Sequence, residues 1–263
     1  MATVANATPL GRPSDDRKIV NFKIPAIATV GLLAIMVFYR TFQRMFAWTA
    51  GLDSTDPVFD TYWMGLLKAE LVLIPLLWVG VWSYIWFTRD KNLYSITPRE
   101  ELRRYFNLVL FIFVYAVAVW FAASFFAEQD ASWHQTVVRD TSFTPSHVVL
   151  FYGTMPLYVT FGVGSLLYAT TRLPKYADNI SIPLVLAVAG PFMILPNLGF
   201  NEWGHAFWMM EEVFTAPLHW GFVVMGWTVL ALGGLLLQIA QHMITLLRQM
   251  GELAESEGEV IAG

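Results

Sequence analysis

Four of the five histidines in this 263-residue chain fall in two short stretches that share a pattern. In the first, Asp130 stands four residues before His134, and His147 follows thirteen residues later. In the second, Asn201 stands four residues before His205, and His219 follows fourteen residues later. A proline, Pro145 or Pro217, sits two residues before each second histidine. Residues at i and i+4 share one face of a helix, about 5–6 Å apart at Cβ. Asp130 with His134, and Asn201 with His205, can therefore aim an oxygen and an imidazole at one point. Proline suits the first turn of a helix, where its missing N–H costs nothing. His147 and His219 are thus expected to open new helices and to face back towards the preceding one. Each cluster is a candidate metal site of two imidazoles and one oxygen, and the neutral amide of Asn201 makes the second the weaker.

The chain has no cysteine, which excludes disulfides, iron–sulfur clusters, thiolate zinc sites and cysteine nucleophiles. Imidazole and carboxylate together suit copper, zinc or non-haem iron. A bis-imidazole haem is the main rival, but it needs no oxygen ligand four residues before a histidine. Di-iron membrane hydroxylases use more histidines than five. Copper or another ion held by nitrogen and oxygen fits best, with zinc as a substitute occupant; neither haem nor flavin is expected. Glu211 and Glu212 lie between His205 and His219, and Glu202 is next to Asn201. All three are candidates for orienting imidazoles, and a solvated loop would account for them equally well.

The elements that carry these residues follow from composition. Apolar residues make up 56% of the chain and charged ones 14%, and mean hydropathy is +0.52. A soluble domain carries about 25% charged residues, so the chain reads as a membrane protein. A net charge of −4 without any basic block excludes a nucleic-acid binder. Apolar runs long enough to span a bilayer cover Ile24–Tyr39, continuing towards Phe46, then Tyr62–Phe87, Tyr105–Ala127, Val148–Thr171, Asn179–Asn201 and Trp220–Gln241. Period-2 alternation is absent, so a transmembrane barrel is a poor alternative. The expected fold is all-α: a polytopic integral membrane helical bundle of about six transmembrane helices, five to seven. Gly190, Pro191 and Pro196 predict a broken fifth helix. Residues 1–23 form a polar arm, 24–248 a single transmembrane domain and 249–263 an acidic tail expected to fray. Arg40 and Arg44 follow the first span, which therefore reads as an uncleaved anchor.

Charge sorts by side. One side holds Arg12, Arg17, Lys18, Lys23, Arg89, Lys91, Arg99, Arg103, Arg104, Arg172, Lys175 and Arg248; the other holds Arg40, Arg44 and Arg139. The positive-inside rule then puts both termini in the cytoplasm and both histidine clusters on the outer side. Within the second span, Lys68 is expected to snorkel and Glu70 is a candidate for facing another subunit. His242 is expected at the inner interface.

Several stretches are more specific. They are Glu-Gln-Asp-Ala-Ser-Trp-His-Gln (128–135), Arg-Asp-Thr-Ser-Phe-Thr-Pro-Ser-His (139–147), Gly-Pro-Phe-Met-Ile-Leu-Pro-Asn (190–197), Asn-Glu-Trp-Gly-His-Ala-Phe-Trp-Met-Met-Glu-Glu (201–212) and Ala-Pro-Leu-His-Trp-Gly-Phe (216–222). With Ala50–Ser54 and Thr97–Arg104, they closely resemble the C subunit of the copper membrane monooxygenases, which oxidise ammonia, methane or short alkanes. The resemblance implies one copper at Asp130, His134 and His147, and a second at Asn201, His205 and His219. It implies two further subunits, one mainly transmembrane and one with periplasmic copper domains, in a trimer of heterotrimers. A quinol or similar donor, and a bacterial cytoplasmic or intracytoplasmic membrane, are implied as well. The residues leave the choice among ammonia, methane and short alkanes open, and do not say which copper is catalytic. Two other readings stand beside oxygen activation. One is a structural or electron-entry role in which the coppers support assembly; the other, a metal or ammonium channel, fits poorly with polar residues gathered at one side.

Overall fold

The computed structural model describes residues 18–133, 136–139, 141–193 and 217–262. Among the described residues, five helices are long and apolar enough to cross a membrane. They are α1 (Lys23–Ala50), α2 (Pro57–Phe87), α3 (Pro98–Phe126, running on as Ala127–Trp133), α4 (Pro145–Arg172) and α7, whose spanning part is Gly221–Leu253. Between α4 and α7 lie the short α5 (Pro174–Asp178) and α6, a shorter apolar helix at Ile182–Phe192. The expected runs one to four and six are thus each found inside a long helix. Of the fifth, Ile182–Phe192 is helical, and its continuation from 194 lies outside the described residues. Among the described residues there is no strand, only one isolated bridge between Asp53 and Arg139. The backbone stays helical as far as Ala262, through the acidic stretch expected to fray.

Local sequence explains where these helices start. Thr97 caps α3 through a 3.2 Å bond from the Glu100 N–H, and Pro98 follows at the first helical position. At α4, Thr144 stands at the N-cap position and Pro145 in the first turn, as the proline spacing predicts. Ser181 caps α6, accepting from the Leu184 N–H at 3.2 Å.

Pro191 in α6 shows how the bundle satisfies backbone groups where water is scarce. Pro191 has no N–H to return to the carbonyl of Ala187, four residues earlier. The Trp227 indole from α7 donates to that carbonyl at 2.8 Å, and the Tyr115 hydroxyl from α3 lies 3.2 Å from it and 3.0 Å from the Val188 oxygen. Tyr158 from α4 donates to the Pro191 carbonyl at 3.0 Å. Each of these acceptors is met by an aromatic donor from a neighbouring helix. Here α6 tightens into a 3₁₀ turn over Gly190–Met193.

The buried core sits between α3 and α4 and is closed by α2 and α7. Indoles of Trp78 and Trp82 on α2 donate to the carbonyls of Pro156 and Thr160 on α4, each at 3.0 Å. Small residues allow the close approach. A Cβ on Gly162 would stand 2.9–3.2 Å from the buried Tyr115 ring. Gly162→Ala is therefore expected to overpack the α3–α4 contact and cost about 1–3 kcal/mol, read as a lowered thermal unfolding midpoint in detergent.

Three polar side chains of the spans are now placed. Glu70 does not face outward: it is 4% exposed, enclosed by α1 and α4, where Gly153 leaves room for its carboxyl beside Tyr39. This corrects the expectation of a contact with another subunit. Lys68 is exposed and 3.9 Å from Asp60, consistent with snorkelling. His242 is half-buried against the rings of Tyr105 and Tyr176, at 5.8 and 6.4 Å between centroids, so it packs within the bundle as well as marking its end.

Candidate metal centre

At one end of the bundle the α3 helix closes with Ala127–Trp133, and α4 opens at Pro145. Asp130 lies in the last turns of the first and His147 in the first turn of the second. The structure brings them together: His147 Nε2 is 3.4 Å from Asp130 Oδ1. Asp130 is fully buried and the His147 side chain is 14% exposed. His147 Nδ1 lies 3.3 Å from the carbonyl oxygen of Ser142. A carbonyl can only accept, so in that contact Nδ1 carries a hydrogen, and Nε2 is the ring nitrogen that faces Asp130. The ring is further fixed edge-on against Phe151, 4.9 Å between centroids.

Two features outside the sequence pattern hold this geometry. The Trp133 indole donates to the Thr144 hydroxyl at 2.9 Å, tying the end of α3 to the start of α4. Both helices also carry π-type turns next to the pair, Phe121–Phe126 before Asp130 and Val148–Thr154 after His147. Such turns insert a residue and rotate the helix beyond it, and they are frequent at functional sites. The Thr-Pro at 144–145 is the one sequence signal for these supports; the π turns leave none.

The loop between Asp130 and His147 is anchored to the α1–α2 connection. Arg139 Nε donates to both oxygens of Asp53 at 2.9 Å, and a further guanidinium contact joins the pair. Backbone bonds run from Ser54 N–H to Arg139 O at 3.1 Å and from Val138 N–H to Leu52 O at 2.8 Å. The Arg139 guanidinium, helped by the Thr55 N–H and hydroxyl, holds the Asp53 carboxyl well below the usual carboxylate range. A depressed carboxylate stabilises the fold above its unfolded value of about 3.9 and loses that contribution only as pH falls through the lower, folded value. The tether is therefore expected to persist from about pH 5 upward and to release only in strong acid. Asp53→Asn should weaken it throughout the range from about pH 5 upward. Hydrogen exchange at the Ser54 and Val138 amides reads both outcomes.

Of the other sequence candidates, His134, Asn201, Glu202, His205, Glu211 and Glu212 lie outside the described residues. His219 lies in the helical backbone that opens at Pro217, and its side chain is outside the description. Among the described residues, no three of His, Asp and Glu gather into one group. Asp130 and His147 are thus the two members of the first cluster whose meeting the structure describes.

This pairing sits in a chain that matches, over residues 6–250, the family described as the C subunit of ammonia monooxygenase/methane monooxygenase. The chain belongs to that family. Membership makes it a membrane component of a monooxygenase complex with other subunits, in keeping with the five spanning helices. A search of curated proteins found no match.

Proposed function

We propose that this chain holds copper at Asp130, His134 and His147, and that the complex hydroxylates a small neutral substrate: ammonia, methane or a short alkane. The observation that carries the reading is the 3.4 Å approach of His147 Nε2 to a fully buried Asp130 carboxylate. The donor set fits the ion: an imidazole held at Nδ1 by the Ser142 carbonyl with Nε2 facing inward, and a carboxylate, with no thiolate in the chain. His134, four residues beyond Asp130, would complete the set. Asn201, His205 and His219 form the second proposed copper site, with Glu202, Glu211 and Glu212 as candidate hydrogen-bond partners. When bound, copper would supply one-electron redox chemistry towards dioxygen. One oxygen atom enters the substrate and the other leaves as water, with electrons and protons from a quinol or similar donor.

The chain's own residues supply positioning and exclusion of water. Ser142 holds the imidazole at Nδ1, and Trp133 with Thr144 fixes the distance between the two helix ends. Ala122, Ala123, Phe126, Val148, Val149 and Leu150 surround that level with buried apolar surface, which admits uncharged molecules and strengthens electrostatic contacts. The opposite end gathers Arg103 and Arg104 around Asp90 and Glu100, with the Arg172 guanidinium donating to Thr88 and the Ile85 carbonyl, which supports a cytoplasmic placement for that end and a periplasmic one for the metal sites. Zinc is the proposed substitute occupant. Substrate-dependent oxygen uptake by the native complex, offered ammonia, methane and butane separately, tests the reading. Uptake with one of them that Asp130→Asn abolishes in a fully assembled complex supports it. Unchanged uptake from a complex that has lost this copper contradicts it and favours an assembly or electron-entry role.

A further inference from the structure

Beside the candidate metal centre, a cavity of about 690 Å³ opens between α1 and the facing ends of α3 and α4. Arg40, Gln43 and Arg44 line it from α1, with Gln129 and Trp133 from α3 and Ser146 from α4. Its volume lies within the roughly 300–1,000 Å³ range of small-molecule sites. The two arginines are its unusual feature. The third arginine at this end, Arg139, has Asp53, and Lys68 has Asp60. Among the described residues, no carboxylate pairs with Arg40 or Arg44; Arg40 lies 5.7 Å from the centre of the Phe125 ring. Cationic side chains at membrane depth are costly without an anion.

The surface below the arginines indicates what brings that anion. Val30, Leu33, Val37, Arg40 and Arg44 recur at three- and four-residue spacing and so share one face of α1. The three apolar members are 67%, 37% and 65% exposed. Trp48, one turn beyond Arg44, is 61% exposed. The face thus runs from exposed aliphatic side chains, through paired cations, to an indole at the depth where headgroups lie. We propose that this cavity and the face below it hold one membrane lipid. Its phosphodiester is bound by Arg40 and Arg44, its headgroup enters the cavity towards Gln43 and Gln129, and an acyl chain lies along Val37, Leu33 and Val30. The proposal does not rest on the copper reading.

The test uses the assembled complex in nanodiscs doped with a phosphatidylglycerol that carries a photoactivatable acyl chain. Labelling is expected within residues 30–48 of α1. Unlabelled phosphatidylglycerol should compete, whereas diacylglycerol of the same chains and inorganic phosphate should not. With each arginine near the surface contributing as a single phosphate contact, Arg40→Gln/Arg44→Gln should need roughly 30-fold more lipid for equal labelling. Arg40→Lys/Arg44→Lys, which keeps the charge, should retain most of it. Equal labelling of the glutamine variant overturns the proposal, as does competition by inorganic phosphate alone. Crosslinking of this face to a neighbouring protein of the complex in place of lipid overturns it too. If the glutamine variant does not assemble, the wild-type labelling position and its competition pattern decide.

Discussion

His147→Ala in the assembled complex is expected to lower metal affinity at the Asp130 site by more than about 100-fold, since changes to supporting groups alone cost 10–100-fold. The imidazole is one of two donors that the fold brings to 3.4 Å, and no other described side chain at that end is placed to replace it. Metal analysis per complex, with subunit stoichiometry measured on the same sample, checks the effect. Ser142 cannot be tested the same way, because its backbone carbonyl makes the contact. Thr144→Val can. It removes the acceptor of the Trp133 indole and should loosen the metal without removing a ligand, a smaller loss than that of His147→Ala.

The second large effect is expected far from the metal, at Arg104→Met. Arg104 donates from Nε to Glu100 at 2.9 Å, from one terminal nitrogen to Asp90 at 2.6 Å and from the other to the Arg172 carbonyl at 2.9 Å. Its side chain is 13% exposed. One residue thus joins the start of α3, the α2–α3 loop and the end of α4. Glu100 keeps Arg103 when Arg104 is lost, so the cost falls on Asp90 and on the helix carbonyl. Breaking a network this enclosed should destabilise by about 2–3 kcal/mol, somewhat below the range for fully buried pairs. The thermal unfolding midpoint should fall, and Asp90→Asn should cost less in the Arg104→Met background than alone, because the two residues act together. Metal content in the folded fraction should not change.

How much of this was legible in the sequence depends on the range of the interaction. The spans were legible because uninterrupted apolar runs have few ways to be satisfied other than as helices in lipid. Pro145 marked the start of α4, and with it the position of His147, because a first-turn proline acts within a few residues. The spacing of Asp130 and His147, with a helix end and a helix start between them, anticipated that they would face each other. Glu70 was misread because its environment is set by Tyr39 and Gly153 on two other helices, and no local pattern reports that. The π turns flanking the candidate metal centre were also invisible. They lie where α3 and α4 face each other, in sequence that reads as ordinary apolar helix.

Whether Asp130, His134 and His147 hold copper is tested most directly by pulsed EPR on the assembled complex with nitrogen-15 histidine. Wild type is compared with His147→Ala, and copper content is recorded alongside. The prediction is a set of imidazole-nitrogen couplings to copper that is present in wild type and lost in the variant, while subunit stoichiometry is unchanged. Identical couplings and identical copper content in the two samples would contradict it.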